Sequence, residues 1–152
     1  MLTILGTSLN HNMEFILAVA AATIIQFIIG ALWYSVLFGK LWGQIHGFDK
    51  LSKEVQQKMM KQMGPFYGLQ LVVTIITSIV LTMFISSVAE LGVSNPYLLA
   101  AMVWIGFVVP TQVSAVIFGG TESKWIFKKI AVQSGASFAC LEAAAAVIHL
   151  FV

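Results

Sequence analysis

Residues 65–89, PFYGLQLVVTIITSIVLTMFISSVA, run for 25 positions without a charged side chain. About 20 apolar residues carry a helix across a hydrocarbon core, so this stretch is long enough to span one. Its polar members Gln70, Thr74, Ser78, Thr82 and Ser86 recur at every fourth position, with Thr77 beside them. A spacing of four keeps side chains on one face of a helix. The run is continuous rather than alternating apolar and polar, which argues for a helix over a barrel strand. Its polar stripe is expected to face protein or water, and the rest lipid.

Three further runs of the same kind flank it, at about 13–38, 96–119 and 125–150. The 152 residues are 59% apolar and 9% charged, and the mean hydropathy is +0.94. Such a composition belongs to a membrane protein. The expectation is an all-α polytopic protein: one domain over residues 1–152, with four transmembrane helices in a bundle. The one cysteine, Cys140, falls inside the fourth run, which excludes a disulfide framework and a cysteine-based metal site.

Orientation follows from the eight basic residues. Lys40, Lys50, Lys53, Lys58 and Lys61 lie between the first and second runs, and Lys124, Lys128 and Lys129 at the junction of the third and fourth. Short cytoplasmic loops carry the excess of Lys and Arg, so both termini are expected outside the cytoplasm, in a multi-pass protein of the cell (inner) membrane. Residues 1–12 contain no Lys or Arg, and a cleaved secretory signal is not expected. Trp33, Tyr34, Trp42, Tyr67 and Trp125 fall near the same boundary as the lysines, where amphipathic rings settle. Trp104 lies deeper, and the expectation is that it packs as a large core piece.

The stretch at about 49–63 reads as a short amphipathic helix. Leu51, Val55, Met59 and Met63 recur every four residues, with Lys50, Lys53, Glu54, Gln57, Lys58 and Lys61 on the polar side. Asp49 or Ser52 is the expected cap, Gly64 the stop, and Pro65 the first turn of the next helix. A lysine-rich face beside a methionine stripe suits anionic lipid headgroups.

Inside the runs, Ala131, Gly135, Ala139 and Ala143 form a small-residue ridge that admits a second backbone. Each run holds one glutamine, Gln26, Gln70, Gln112 and Gln133, and a hydrogen-bonded layer across the helices is expected. Pro110 lacks an N–H and crowds the carbonyl of Gly106, so the third helix should kink there, with Thr111 and Gln112 to satisfy freed groups. Glu142 sits about 10 Å from the outer end of the fourth helix, and intramembrane carboxylates are costly and usually functional. His149 lies two turns further along the same face, while His11, Glu14 and Glu90 add to an outer surface without lysine. No H-E-x-x-H or similar ligand spacing occurs, and neither metal nor cofactor is expected.

The segment from Gly30 to Trp42, GALWYSVLFGKLW, resembles the opening motif of a family of small four-pass bacterial membrane proteins catalogued as domain of unknown function seventeen sixty-one. Its characteristic positions here are Trp33, Tyr34, Ser35, Phe38, Gly39, Lys40 and Trp42, and WIGFVVP from Trp104 to Pro110 is similar to the family's third-helix pattern. A proline often follows Trp-Tyr-Ser in that family, where this chain has Val36. The resemblance implies four helices and brings no activity with it. Physically, Gly30 is expected to allow close helix contact, and Gly39 with Lys40 to end the helix at the surface.

Three function classes fit. The leading one is a helix-packing accessory or interaction subunit, in a homo-oligomer or a larger membrane complex. The second is a small-molecule or ion transporter acting as a homo-oligomer around Glu142, the glutamines and Pro110. A lipid-modifying membrane enzyme comes last, because Ser35 and Ser123 near the inner boundary have no histidine and acid at a triad-like spacing. Nucleic-acid binding is not expected from a net charge of +2 with the lysines explained by topology.

Overall fold

A computed structural model describes residues 2–92 and 95–151, with side chains from His11 onward. Helix α1 (Leu2–Leu32) runs into a π-helical turn (Trp33–Leu37), followed by α2 (Gly39–Ile45), α3 (Lys53–Gln62) and α4 (Gly64–Glu90). Then come α5 (Pro96–Val103), a second π-helical turn (Trp104–Val108), α6 (Val109–Phe118) and α7 (Ile126–Ile148), with short 3-10 turns at Phe48–Lys50 and Ser123–Trp125. Four helical stretches are long and apolar enough to cross a membrane: His11–Leu37, Gly64–Glu90, Pro96–Phe118 and Ser123–Ile148. They agree with the runs read from sequence to within two residues at every end.

Helix boundaries follow local chemistry. Asn95 caps α5, its side-chain oxygen accepting from the Leu98 N–H at 3.1 Å, and Pro96 occupies the first turn where its missing donor costs nothing. Gly92, at φ 86°, turns the chain after α4 in a conformation that L side chains avoid. Between α1 and α4 the expected helix at 49–63 is shorter. Asp49 lies in a 3-10 turn and Leu51 is extended, so the cap is Ser52, whose hydroxyl accepts from the Val55 N–H at 3.4 Å. Gly64 is not the stop either. It is the first residue of α4, and the break from α3 falls at Met63, where Pro65 supplies no N–H for the carbonyl one turn back. Gly39 likewise begins α2 rather than ending α1; the interruption is at Phe38, at φ −121° and ψ 8°.

Helix α7 is the hub, touching α1, α4, α5 and α6, while α4 also packs along α1. The core gathers at the end that holds the termini. Ala18, Ala22, Leu81, Ile85, Leu99, Ala100, Leu141, Ala144, Ala145 and Ile148 form one buried cluster there, with Trp104 packed on it. Five of these ten are alanine, which brings the backbones close where lipid removes the usual hydrophobic drive for association. Toward the lysine end α6 and α7 stay packed, with Val116 and Val132 buried, while residues 64–73 of α4 are exposed.

Candidate functional site

The four-residue polar series on α4 forms a ladder within its own helix. Thr74, Ser78, Thr82 and Ser86 each donate to the carbonyl four residues back, at 2.8, 2.9, 2.7 and 2.8 Å. A hydroxyl that places its proton this way keeps acceptor lone pairs for a neighbour, so it can be buried at small cost. Thr74, Ser78 and Thr82 are buried as the stripe requires. Ser78 uses its free lone pair: the Gln26 Nε2 donates to it at 2.8 Å and to the Ala22 carbonyl at 3.2 Å.

The four glutamines divide rather than forming one layer. Gln26 is buried and joins α1 to α4 through Ser78. Gln112 joins α6 to α7, its Nε2 donating to Ser137 at 2.6 Å and its Oε1 accepting from Ser134 at 3.1 Å. Gln70 is exposed and bonds only along its own helix, to Thr74 at 3.3 Å. Gln133 buries its Oε1 without a donor among the described residues. Depth and angle both divide them: Gln70 and Gln112 lie six residues from the lysine-side ends of their spans, Gln133 ten and Gln26 eleven, and each faces its own neighbours.

Two tryptophans hold α7 at mid-depth, an arrangement the sequence reading missed. Trp33 donates its indole N–H to the Val132 carbonyl at 3.0 Å, and Trp104 donates to the Ser134 carbonyl at 2.8 Å. The Trp33 ring lies against Gly135 and the Trp104 ring against Phe138 of α7. Each tryptophan opens one of the two π-helical turns. The first turn closes with the Phe38 N–H on the Trp33 carbonyl at 2.8 Å, and the second with the Val109 N–H on the Trp104 carbonyl. The second turn lies directly before Pro110, where the kink was expected. It lets the chain pass the carbonyl of Gly106, which Pro110 cannot satisfy, and Thr111 bonds the Phe107 carbonyl instead. The paired Trp motifs were visible in the sequence, and their common target was not.

The ridge on α7 is filled in part by the chain itself. A Cβ at Gly135 would stand 2.9 Å from Cζ2 of Trp33, so this glycine is where the Trp33 ring fits. Ala131 is exposed, and Ala139 and Ala143 are half-buried. Gly30 and Gly106 have open space where close helix contact was expected, with nothing within 4 Å of a Cβ at either. Trp33 accordingly belongs to the interior, while Tyr34, Trp42 and His46 stack in sequence at centroid distances of 4.8 and 4.3 Å. Cys140 points its thiol at the Gln26 carbonyl, 3.5 Å away.

At the lysine end, Lys124 pairs with Glu122 at 2.7 Å, and Lys124 and Lys128 lie 5.7 and 5.1 Å from the centre of the Trp125 ring. The hydrogen bond and charge of Lys124, and more weakly the charge of Lys50, hold the Glu122 carboxyl below the usual carboxylate range. Lys40 is exposed at the start of α2. Ser35 donates to the Ala31 carbonyl of its own helix.

At the other end, Glu142 is half-buried on α7, and His149 is exposed as the residue that follows it. His11, Glu14, Ser86 and Glu90 line a cleft of about 620 Å³ floored by Phe15, Met83 and Phe151. Among the described residues, no three of His, Cys, Asp and Glu stand close enough to hold a metal ion.

An all-α chain with four helices of membrane-crossing length and composition, gathered on a central fourth helix, is thus the class that fold and polar contacts define. Within that class the chain belongs to the family described as protein of unknown function (DUF1761), whose pattern matches residues 17–149. No curated protein and no solved structure matches it.

Proposed function

We propose that this protein is an integral membrane subunit whose work is helix packing against another polypeptide. The observation that carries this reading is the lysine-end half of α4. Residues 64–73 are all exposed, with no buried position among them. Gly64 and Gly68 form a G-x-x-x-G pair with open space around both, and the exposed Gln70, two residues on, lies on the other side of the helix. Lipid covers apolar side chains well, but an amide in hydrocarbon seeks a partner, and bare glycines at this spacing admit another helix closely.

In this reading the lysine end faces the cytoplasm and both termini lie outside. The placing of all eight lysines at the joins between the first and second and between the third and fourth spans supports this orientation. Helix α3 then rests on anionic headgroups, with Lys53, Lys58 and Lys61 in the headgroup layer and the exposed Val55, Met59 and Met63 toward the chains. We assign no catalytic step.

Native mass spectrometry of the protein extracted with its own lipids tests the reading. Co-extraction with a second membrane protein in fixed ratio, lost when Gly68 is changed to Leu, is the expected result. A monomer bearing only lipid in both forms would sink it. The cleft beside Glu14 and Glu90 favours a second reading, a homo-oligomeric transporter of small molecules or ions. Coupled flux into vesicles that disappears with Glu90→Gln would support that alternative.

A further inference from the structure

Glu142 lies within the stretch Ser123–Ile148, six residues before its end, or about 9 Å along the helix. It is half-buried, so its carboxyl reaches the surface of the bundle rather than its interior. Among the described residues, the side-chain hydrogen bonds of α7 stop at Cys140, two residues short of it. The described ion pair, Lys124–Glu122, is at the opposite end. His149 is seven residues further along, about 10 Å, which is beyond side-chain reach.

What surrounds the carboxyl is low. Ala139 and Ala146, one turn to either side, are half-buried, and Ala145 is fully buried. Phe138 is turned onto Trp104, with ring centroids 4.8 Å apart. Glu142, Ala143, Ala146 and Val147 form a half-exposed strip of α7 between its neighbours, and a helix from outside reaches this stretch only along that strip, with the carboxylate as its one strong polar feature. An ionisable group at this depth in a bilayer is costly unless it is paired.

Apart from His11 and His149, the chain holds no basic side chain at this end to supply. All eight basic residues are lysines in the two segments at the other end, and none lies between Lys61 and Lys124 or beyond Lys129. A second copy of the chain would set Glu142 against another surface with no lysine or arginine, and repulsion between carboxylates would oppose such a pair. Charge complementarity selects instead a different protein.

We infer that the Glu142 face of α7 docks a transmembrane helix of another protein that carries a lysine or arginine in the leaflet on the side of the termini. This rests on the packing-subunit reading and assigns the chemistry of its partner, on a face separate from the free half of α4.

The probe for the test is a synthetic leucine helix with one lysine about 9 Å from its end and a dansyl label, reconstituted with the full chain in phosphatidylcholine vesicles. The chain's own tryptophans, Trp104 among them, serve as energy donors. The expected result is transfer to the lysine helix at tenfold lower peptide density than to an all-leucine helix. Glu142→Gln should abolish that tenfold preference and Glu142→Asp should restore most of it. Unchanged intrinsic tryptophan emission and helicity in the variants show that the fold is intact. Equal transfer to both helices, or a lysine preference that survives in Glu142→Gln, overturns the inference. So does self-association that depends on Glu142, which would make a second copy the occupant. Failure here together with fixed-ratio co-extraction of a partner would remove the Glu142 face while leaving the packing-subunit reading in place.

Discussion

The two ends of this bundle are held by different means. At the end with the termini, alanines let α1, α4, α5 and α7 meet closely, and a continuous apolar core results. From mid-depth toward the lysine end contact is made by anchors beside the buried Val116 and Val132: the Trp33 ring over Gly135, its indole on the Val132 carbonyl, and the amide of Gln112 between two serines. The difference teaches that close packing distributes stability over many small contacts, whereas anchors leave the surfaces between them free for another partner. Helix α4 passes through both regimes, buried at Leu81 and Ile85 and bare from residue 64 to 73.

The widest gap between the regimes should appear in a pair of identical truncations on α4. Leu81 is 4% exposed and Leu69 is 61% exposed. Leu81→Ala is expected to cost about 3 kcal/mol through lost contacts and a residual cavity, and Leu69→Ala less than about 0.5 kcal/mol. Thermal unfolding in detergent followed by circular dichroism reads both, and equal losses would show that the two halves are not distinct.

Gly135→Leu sharpens the view of the anchored end. The added side chain displaces the Trp33 ring and with it the indole hydrogen bond, for an expected loss of about 2 kcal/mol. A red shift in tryptophan emission should accompany the loss. Destabilisation with unchanged emission would mean that the ring does not sit where Gly135 leaves room.

The smallest effect distinguishes two glutamines. Gln26→Leu removes the bond to Ser78 and is expected to cost about 1 kcal/mol, in line with interhelical hydrogen bonds in membranes. Gln70→Leu should leave the isolated chain as stable as before, and its effect should emerge only in the presence of a partner. A destabilised monomer in the second case would place Gln70 inside the chain's own network.

Much of this architecture was legible from residues alone. Apolar runs of helix-spanning length marked the four long helices, because hydrocarbon leaves the backbone no partner except itself. The period of four on α4 marked its buried hydroxyl face, since that spacing is one side of a helix whatever packs on it. Family membership was legible as well, in the tryptophan motifs at Trp33 and Trp104.

Other features depended on how the helices are rotated and placed against one another. Whether Gln26 meets Ser78, whether Gln70 meets anything, and whether Gly135 offers its ridge to another chain or to Trp33 are matters of azimuth and separation, which no spacing along one helix specifies. The π-helical turns belong to the same group, because each positions an indole for a carbonyl that lies 99 or 30 residues away in the chain. The sequence by itself determined the number, extent and polar faces of the spanning helices, because these depend on each segment's own exchange between water and lipid. Only the tertiary structure decided which polar groups are satisfied inside the chain and which are left outward, because that depends on contacts between segments.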